Sequence, residues 1–204
     1  MAGVDRRQSQ QLVRLQRLTD VVYALVIWRL FQFMPKPEEE YRWQDFGNFV
    51  VQNGMVFVLI IIGFVFTMIY WVQSNAAFTK LAGTDNRHTV LSILQVFSLL
   101  IFLYSLHVGI VLGGSPGTRA FEALAAALVG FVGSAAWSYA SRNRRLLHDD
   151  VTDAEARQFS NRILAEPIAA CITLPFVFTP IFWELAWFSY APVHGLLHKK
   201  RKQP

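Results

Sequence analysis

The feature that most constrains this chain is its succession of long apolar runs separated by short charged links. About 17–25 predominantly apolar residues suffice for an α-helix to cross a bilayer, and the helix satisfies every backbone polar group internally. The first run covers residues 18–34. The second runs from 46 to about 74, with no charge between Asp45 and Lys80. The third spans about 89–112 and is closed by the "GGSPG" turn; the fourth spans about 120–140. Residues 163–197 form one apolar region interrupted only by Glu166 and Glu184, which is too long for one ordinary helix. Pro175 and Pro180 near its middle predict a helix, a tight hairpin and a second helix, with a proline-kinked single helix as the competing reading. The expected fold class is therefore all-α: a polytopic membrane protein with six transmembrane helices per subunit.

Composition supports this over a soluble domain. The chain is 53% hydrophobic and 16% charged, with seventeen Phe and six Trp. Its formal charge of +5 is scattered in short clusters between apolar runs, which suits loops at an anionic bilayer face and argues against nucleic acid. The single cysteine, Cys171, excludes an intrachain disulfide framework and reads as a small hydrophobe. No cleavable leader is expected from the basic start, because it feeds directly into a helix containing Arg29.

Charge asymmetry tests the span count. Basic residues lie at the start (Arg6, Arg7, Arg14, Arg17), in the second link (Lys80, Arg87), in the fourth (Arg142, Arg144, Arg145) and in the final "HKKRKQP". The alternate links are acidic or nearly neutral. All four basic segments share one side only with six spans, which puts both termini in the cytoplasm. Trp43, Trp71, Trp137, Tyr139 and Trp187 fall near predicted helix ends, as an aromatic belt requires. The organisation expected is a basic cytoplasmic N-terminus (1–17), a six-helix transmembrane domain (18–198) and a basic cytoplasmic tail (199–204).

No nucleotide loop, zinc motif, haem attachment site or nucleophile elbow is present, so neither an enzyme nor a bound cofactor or metal is expected. His194 and His198 are four apart, but beside "KKRK" they read as headgroup-facing; His107 reads as an interfacial polar residue. Thr152 and Glu155 form a capping box leading into the fifth span. Asp149, Asp150, Asp153 and Glu155 do not follow the order of a calcium loop.

Intramembrane polar groups carry more information, because each is costly unless paired or facing water. In the first run, Arg17 and Asp20 are three apart on one helix face and are expected to pair. Gln52, Asn53, Gln73, Ser74, Asn75, Gln95 and Glu166 supply further polar groups for interhelical hydrogen bonds.

The stretch "RLQRLTD" resembles the signature Arg-x-x-x-Phe-Ser-Asp on the first helix of the transmembrane protein 175 channels. Its matching residues are Arg14, Leu18, Thr19 and Asp20. The resemblance continues through "DVVYALVIWRLFQFMP", through "MIYWVQSNAAF" at the end of the second span, and through "TDNRHTVLSILQVF" and "WSYASRNRRLL". Leu18 and Thr19 replace Phe and Ser, and Ser74 and Asn75 stand where that family carries histidines.

Several expectations follow from the resemblance. It implies a potassium-permeable homotetramer in a bacterial plasma (inner) membrane, each subunit being one six-helix repeat, with helix one lining a central pore. It implies a hydrophobic constriction at Leu25 in place of a carbonyl-loop filter, and no "TVGYG"-like segment occurs here. At helical spacing, Trp28 and Gln32, or Arg29 one residue off, would lie toward the outer mouth. Arg14, Thr19 and Asp20 would hold helix one against its neighbours, in a network shared with Trp71 and Asn75. Arg29 departs from a cation pore; it is expected to face away from the axis and snorkel to the outer headgroups, or to pair with an acid such as Glu184 of another helix or subunit. The rival readings are an anion or proton pathway using Arg29 and a non-conducting membrane scaffold. The partners expected are potassium ions and the lipid bilayer.

Overall fold

A computed structural model describes residues 6–37 and 45–198. Among them the chain forms nine α-helices: α1 (Arg6–Gln32), α2 (Phe46–Gln52), α3 (Gly54–Phe78), α4 (Asn86–Val111), α5 (Pro116–Ser141), α6 (Asp153–Ile163), α7 (Ala165–Thr173), α8 (Pro180–Ala186) and α9 (Tyr190–His198). Trp43 and the tail 199–204 lie outside the described residues.

The helices α3, α4 and, with its short 3-10 extension, α5 are each long and apolar enough to cross a membrane. The other apolar runs are handled differently. α1 begins at Arg6, twelve residues before its apolar run, so most of the basic start is itself helical. At 27 residues and 1.5 Å per residue, α1 extends about 40 Å, beyond a hydrocarbon core of about 30 Å.

The run expected as one second helix is broken at Asn53. Its backbone N–H (3.1 Å) and its side-chain amide (2.9 Å) both donate to the Phe49 carbonyl, its φ of −101° and ψ of 9° leave the helical region, and Gly54 follows. Residues 163–197 become a chain of short pieces. After α7, a 3-10 turn carries Pro175, the backbone reverses near residues 177–179, and Pro180 opens α8 where its missing N–H costs nothing. Since α7 packs against both α8 and α9, the region doubles back on itself.

Caps fix the helix starts. Asp85 accepts from the His88 backbone N–H at 2.9 Å, and Ser115 caps α5 ahead of Pro116. Thr152 and Glu155 make the reciprocal capping box that the sequence signals. The α4–α5 turn places Gly113 and Gly114 at φ +69°, a conformation that side-chain-bearing residues rarely adopt.

The most extensive packing joins α4 to α5, then α5 to α7 and α1 to α3. The main core runs through these helices, with Tyr23, Tyr70, Phe102 and Trp183 fully buried. A second core lies at one end, built from Leu12, Leu15, Phe78, Leu81, Trp137, Leu146, Leu147 and Phe159. Backbone bonds close that end: Thr84 N–H to Gln8 O (3.3 Å), Ala82 N–H to Leu146 O (2.9 Å) and His148 N–H to Lys80 O (3.0 Å). Three of the four basic segments therefore meet at the same end of the bundle.

Candidate functional site

α1 has two unlike faces. Leu12, Leu15, Thr19, Tyr23, Val26 and Leu30, spaced three or four apart, are buried against the other helices. A second stripe of Leu18, Val21, Leu25 and Trp28, with Gln32 one turn further, is exposed; Leu25 is 60% and Trp28 61% accessible. Among the described residues no other helix of the subunit covers this stripe.

Two polar groups of α1, Asp20 and Tyr23, meet α3. Asp20 Oδ1 accepts the Trp71 indole N–H at 3.1 Å, and the Tyr23 hydroxyl meets Ser74 Oγ at 3.3 Å. Beside Ser74, the buried Gln73 amide donates to Glu166 Oε1 of α7, and the Tyr190 hydroxyl of α9 lies beside the same carboxyl. Tyr70 donates to the Ala126 carbonyl of α5 at 2.8 Å. These contacts link α1, α3, α5, α7 and α9 through one polar layer. Beside it, a cavity of about 40 Å³ has Gln73, Ser74, His88, Ser92, Gln95 and Ser134 among its lining residues, enough room and polarity for a water molecule.

The layer corrects several sequence expectations. Asp20 bonds Trp71, and no ion pair joins it to Arg17 among the described residues; the indole is fixed by α1–α3 packing, whereas Arg17 points to the exposed side. Thr19 Oγ1 donates back to the Leu15 carbonyl at 2.9 Å, as a threonine within a helix can, and so does not tie α1 to a neighbouring helix as the resemblance implies. Arg14 is exposed. Asn75 makes no side-chain hydrogen bond among the described residues; Ser74 and Gln73, one and two residues earlier, face the core instead. Arg29 does not reach Glu184 within the subunit. Its guanidinium donates to Gln32 Oε1 at 2.8 Å and lies 5.2 Å from the Phe33 ring centroid, folded back along its own helix end. Tyr23, Tyr70 and Tyr190 went unread at the sequence level; a tyrosine hydroxyl inside an apolar run is the signal that could have found them.

At the basic end, Asp85 combines three roles. It caps α4, accepts the Tyr139 hydroxyl at 2.7 Å, and pairs with Arg145 at 3.6 Å, while that guanidinium lies over the Tyr139 ring. Burial alone would raise its pKa; the His88 N–H, the Tyr139 hydroxyl and Arg145 together outweigh it and hold the carboxyl below its ordinary value. Among the described residues, no group of three His, Cys, Asp or Glu side chains is placed to hold a metal ion.

Neither known protein-family profiles nor curated proteins match this sequence. A solved structure does match: the crystal structure of a single-residue variant of the potassium channel MtTMEM175, in complex with a nanobody–MBP fusion protein. The two share 18% identity and superpose with a TM-score of 0.62 over 96% of this chain and 97% of that one. The likeness spans nearly all of the chain and agrees with the family that the first-helix signature resembles. The chain has the fold of a transmembrane protein 175 potassium channel.

Proposed function

We propose that the chain is a subunit of a homotetrameric, potassium-permeable leak channel, with α1 of each copy lining the pore and no enzymatic role. The observation that carries this reading is the exposed apolar stripe on α1, on a chain whose fold matches a potassium channel from end to end. A stripe of this kind is stable in a membrane protein when it faces lipid, a neighbouring copy or a pore. In this reading the six spans are α1, α2–α3, α4, α5, α7 with the turn that follows it, and α8–α9, with α6 the cytoplasmic lead-in to the fifth. The basic end, with both termini, faces the cytoplasm of a bacterial inner membrane.

Four Leu25 side chains would form the constriction, where wetting of an apolar ring decides conductance and no carbonyl loop strips the ion. Trp28 and Gln32 continue the stripe toward the outer mouth. Arg29 is compatible with cation passage because Gln32 and Phe33 engage its guanidinium. A guanidinium swung to about 4 Å from a passing cation would oppose it by roughly 4 kcal/mol at an effective dielectric near 20. The polar clasp of Asp20 and Trp71 sets the rotation of α1, and thereby which residues face the axis.

The test is potassium-gradient flux from liposomes, comparing wild type with Leu25→Ala. Flux that rises in the variant is expected. A folded wild-type protein that passes no potassium at any voltage would overturn the channel reading. A reversal potential that follows chloride would transfer the pathway to Arg29 and an anion.

A further inference from the structure

At the end of the bundle opposite the basic segments, α3, α4, α5 and α8 enclose a cavity of about 200 Å³ that the proposed pore does not use. Its walls are Met55, Val56, Leu59, Ile110 and Trp183, and its polar groups are Glu122, Glu184 and Arg119. Glu122 is only 2% exposed, and no hydrogen-bond donor reaches its carboxyl among the described residues. It occupies space that a side chain on α4 would need: a Cβ at Gly109 would fall 1.9 Å from its Oε1. Gly109 therefore makes room for the carboxyl at the cavity wall. Trp183, also 2% exposed, has an indole N–H without an acceptor. Arg119 Nη1 donates to the Val177 carbonyl at 2.8 Å, and no ion pair within 4 Å joins its guanidinium to Glu122 among the described residues.

A buried carboxyl that no donor reaches is costly unless something else at the cavity meets it. We propose that this cavity is a binding site for a short-chain organic ammonium ion. Burial disfavours a charged carboxyl, so a cation placed against Glu122 is what restores its ionised form, while the charges of Glu184 and Arg119 offset each other. The apolar walls favour an alkyl or arylalkyl body over a hard metal ion, which needs six or more oxygen ligands. The ammonium group lies against the Glu122 carboxylate, with the Trp183 indole as an aromatic wall beside it. The site is separate from α1, so its occupancy does not depend on whether the protein conducts.

Isothermal titration of butylammonium chloride into the purified full chain in phosphatidylcholine nanodiscs, with empty nanodiscs as the blank, tests the proposal. Saturable binding is expected, with 1-butanol giving none. Glu122→Gln should weaken it at least tenfold, and the half-buried Glu184→Gln several-fold. If Glu122→Gln fails to fold, Glu184→Gln decides alone. Equal binding of 1-butanol, displacement by calcium, unchanged affinity in the folded variants, or no saturable heat with wild type would each overturn the assignment.

Discussion

Gly130 sits where α5 crosses α7, and replacing it with alanine should be among the most damaging single-methyl additions to this fold. The new Cβ would stand 2.6 Å from Pro167 Cδ and 2.9 Å from both Cβ and Cγ of that ring. Restoring an ordinary contact of about 3.4 Å requires the helices to separate by about 0.8 Å, because a proline ring has no rotamer by which to withdraw. Overpacking of this kind costs about 1–3 kcal/mol. The displacement also reaches the polar layer, since Pro167 follows Glu166, whose carboxyl is held by Gln73 of α3. Gly54→Ala is the matched control, as its Cβ would meet nothing within 4 Å. Gly63→Ala is intermediate, because the atom it strikes is the end of the flexible Leu106 side chain. Denaturant titration of the three variants in the same detergent, followed by tryptophan fluorescence, should rank them Gly130, Gly63, Gly54 in decreasing cost. A Gly130→Ala protein as stable as Gly54→Ala would refute the close α5–α7 contact and the argument built on it.

Further predictions concern the clasp, the arginine and pH. Trp71→Phe keeps an aromatic ring but removes the only donor to Asp20 seen among the described residues; it should cost about 1–3 kcal/mol and lower both tetramer yield in native electrophoresis and potassium flux. Gln32→Ala should release Arg29 and reduce potassium flux, whereas Arg29→Gln should leave it equal or higher; the opposite order would remove the restraining role assigned to Gln32. Because the Asp85 carboxyl is held below its ordinary value, its stabilising effect is complete above the unfolded-state pKa of about 3.9 and is lost as pH falls through the lower folded value. Thermal melts of wild type and Asp85→Asn should accordingly differ at neutral pH and converge below about pH 4.

The sequence already held the long apolar helices, because a bilayer leaves an uncharged run of more than twenty residues few alternatives to a helix. It also held the local punctuation: the Thr152–Glu155 capping box, the paired glycines before Ser115, and the two prolines around which the last apolar region turns back. Each of these is decided by neighbours within a few residues. The breaks were less legible. Asn53 divides the second apolar run through a hydrogen bond to its own helix, and the run's hydropathy hardly registers one polar residue.

Which polar groups meet was settled only by the tertiary structure. Asp20 had Arg17 as an acceptable partner three residues away, yet it bonds Trp71, fifty-one residues on. Glu166 is answered by Gln73 across ninety-three residues, and Asn75 is bypassed in favour of Ser74. α3 is apolar on nearly every side, so its periodicity does not say which side faces protein; packing against α1 and α4 decides that. The same packing divides α1 into a buried face and an exposed one, and so separates Leu25 from Tyr23 although both are ordinary members of one apolar run. Hydrophobicity along a chain reports that a residue leaves water. Only neighbouring helices determine whether it then meets lipid, protein or a pore.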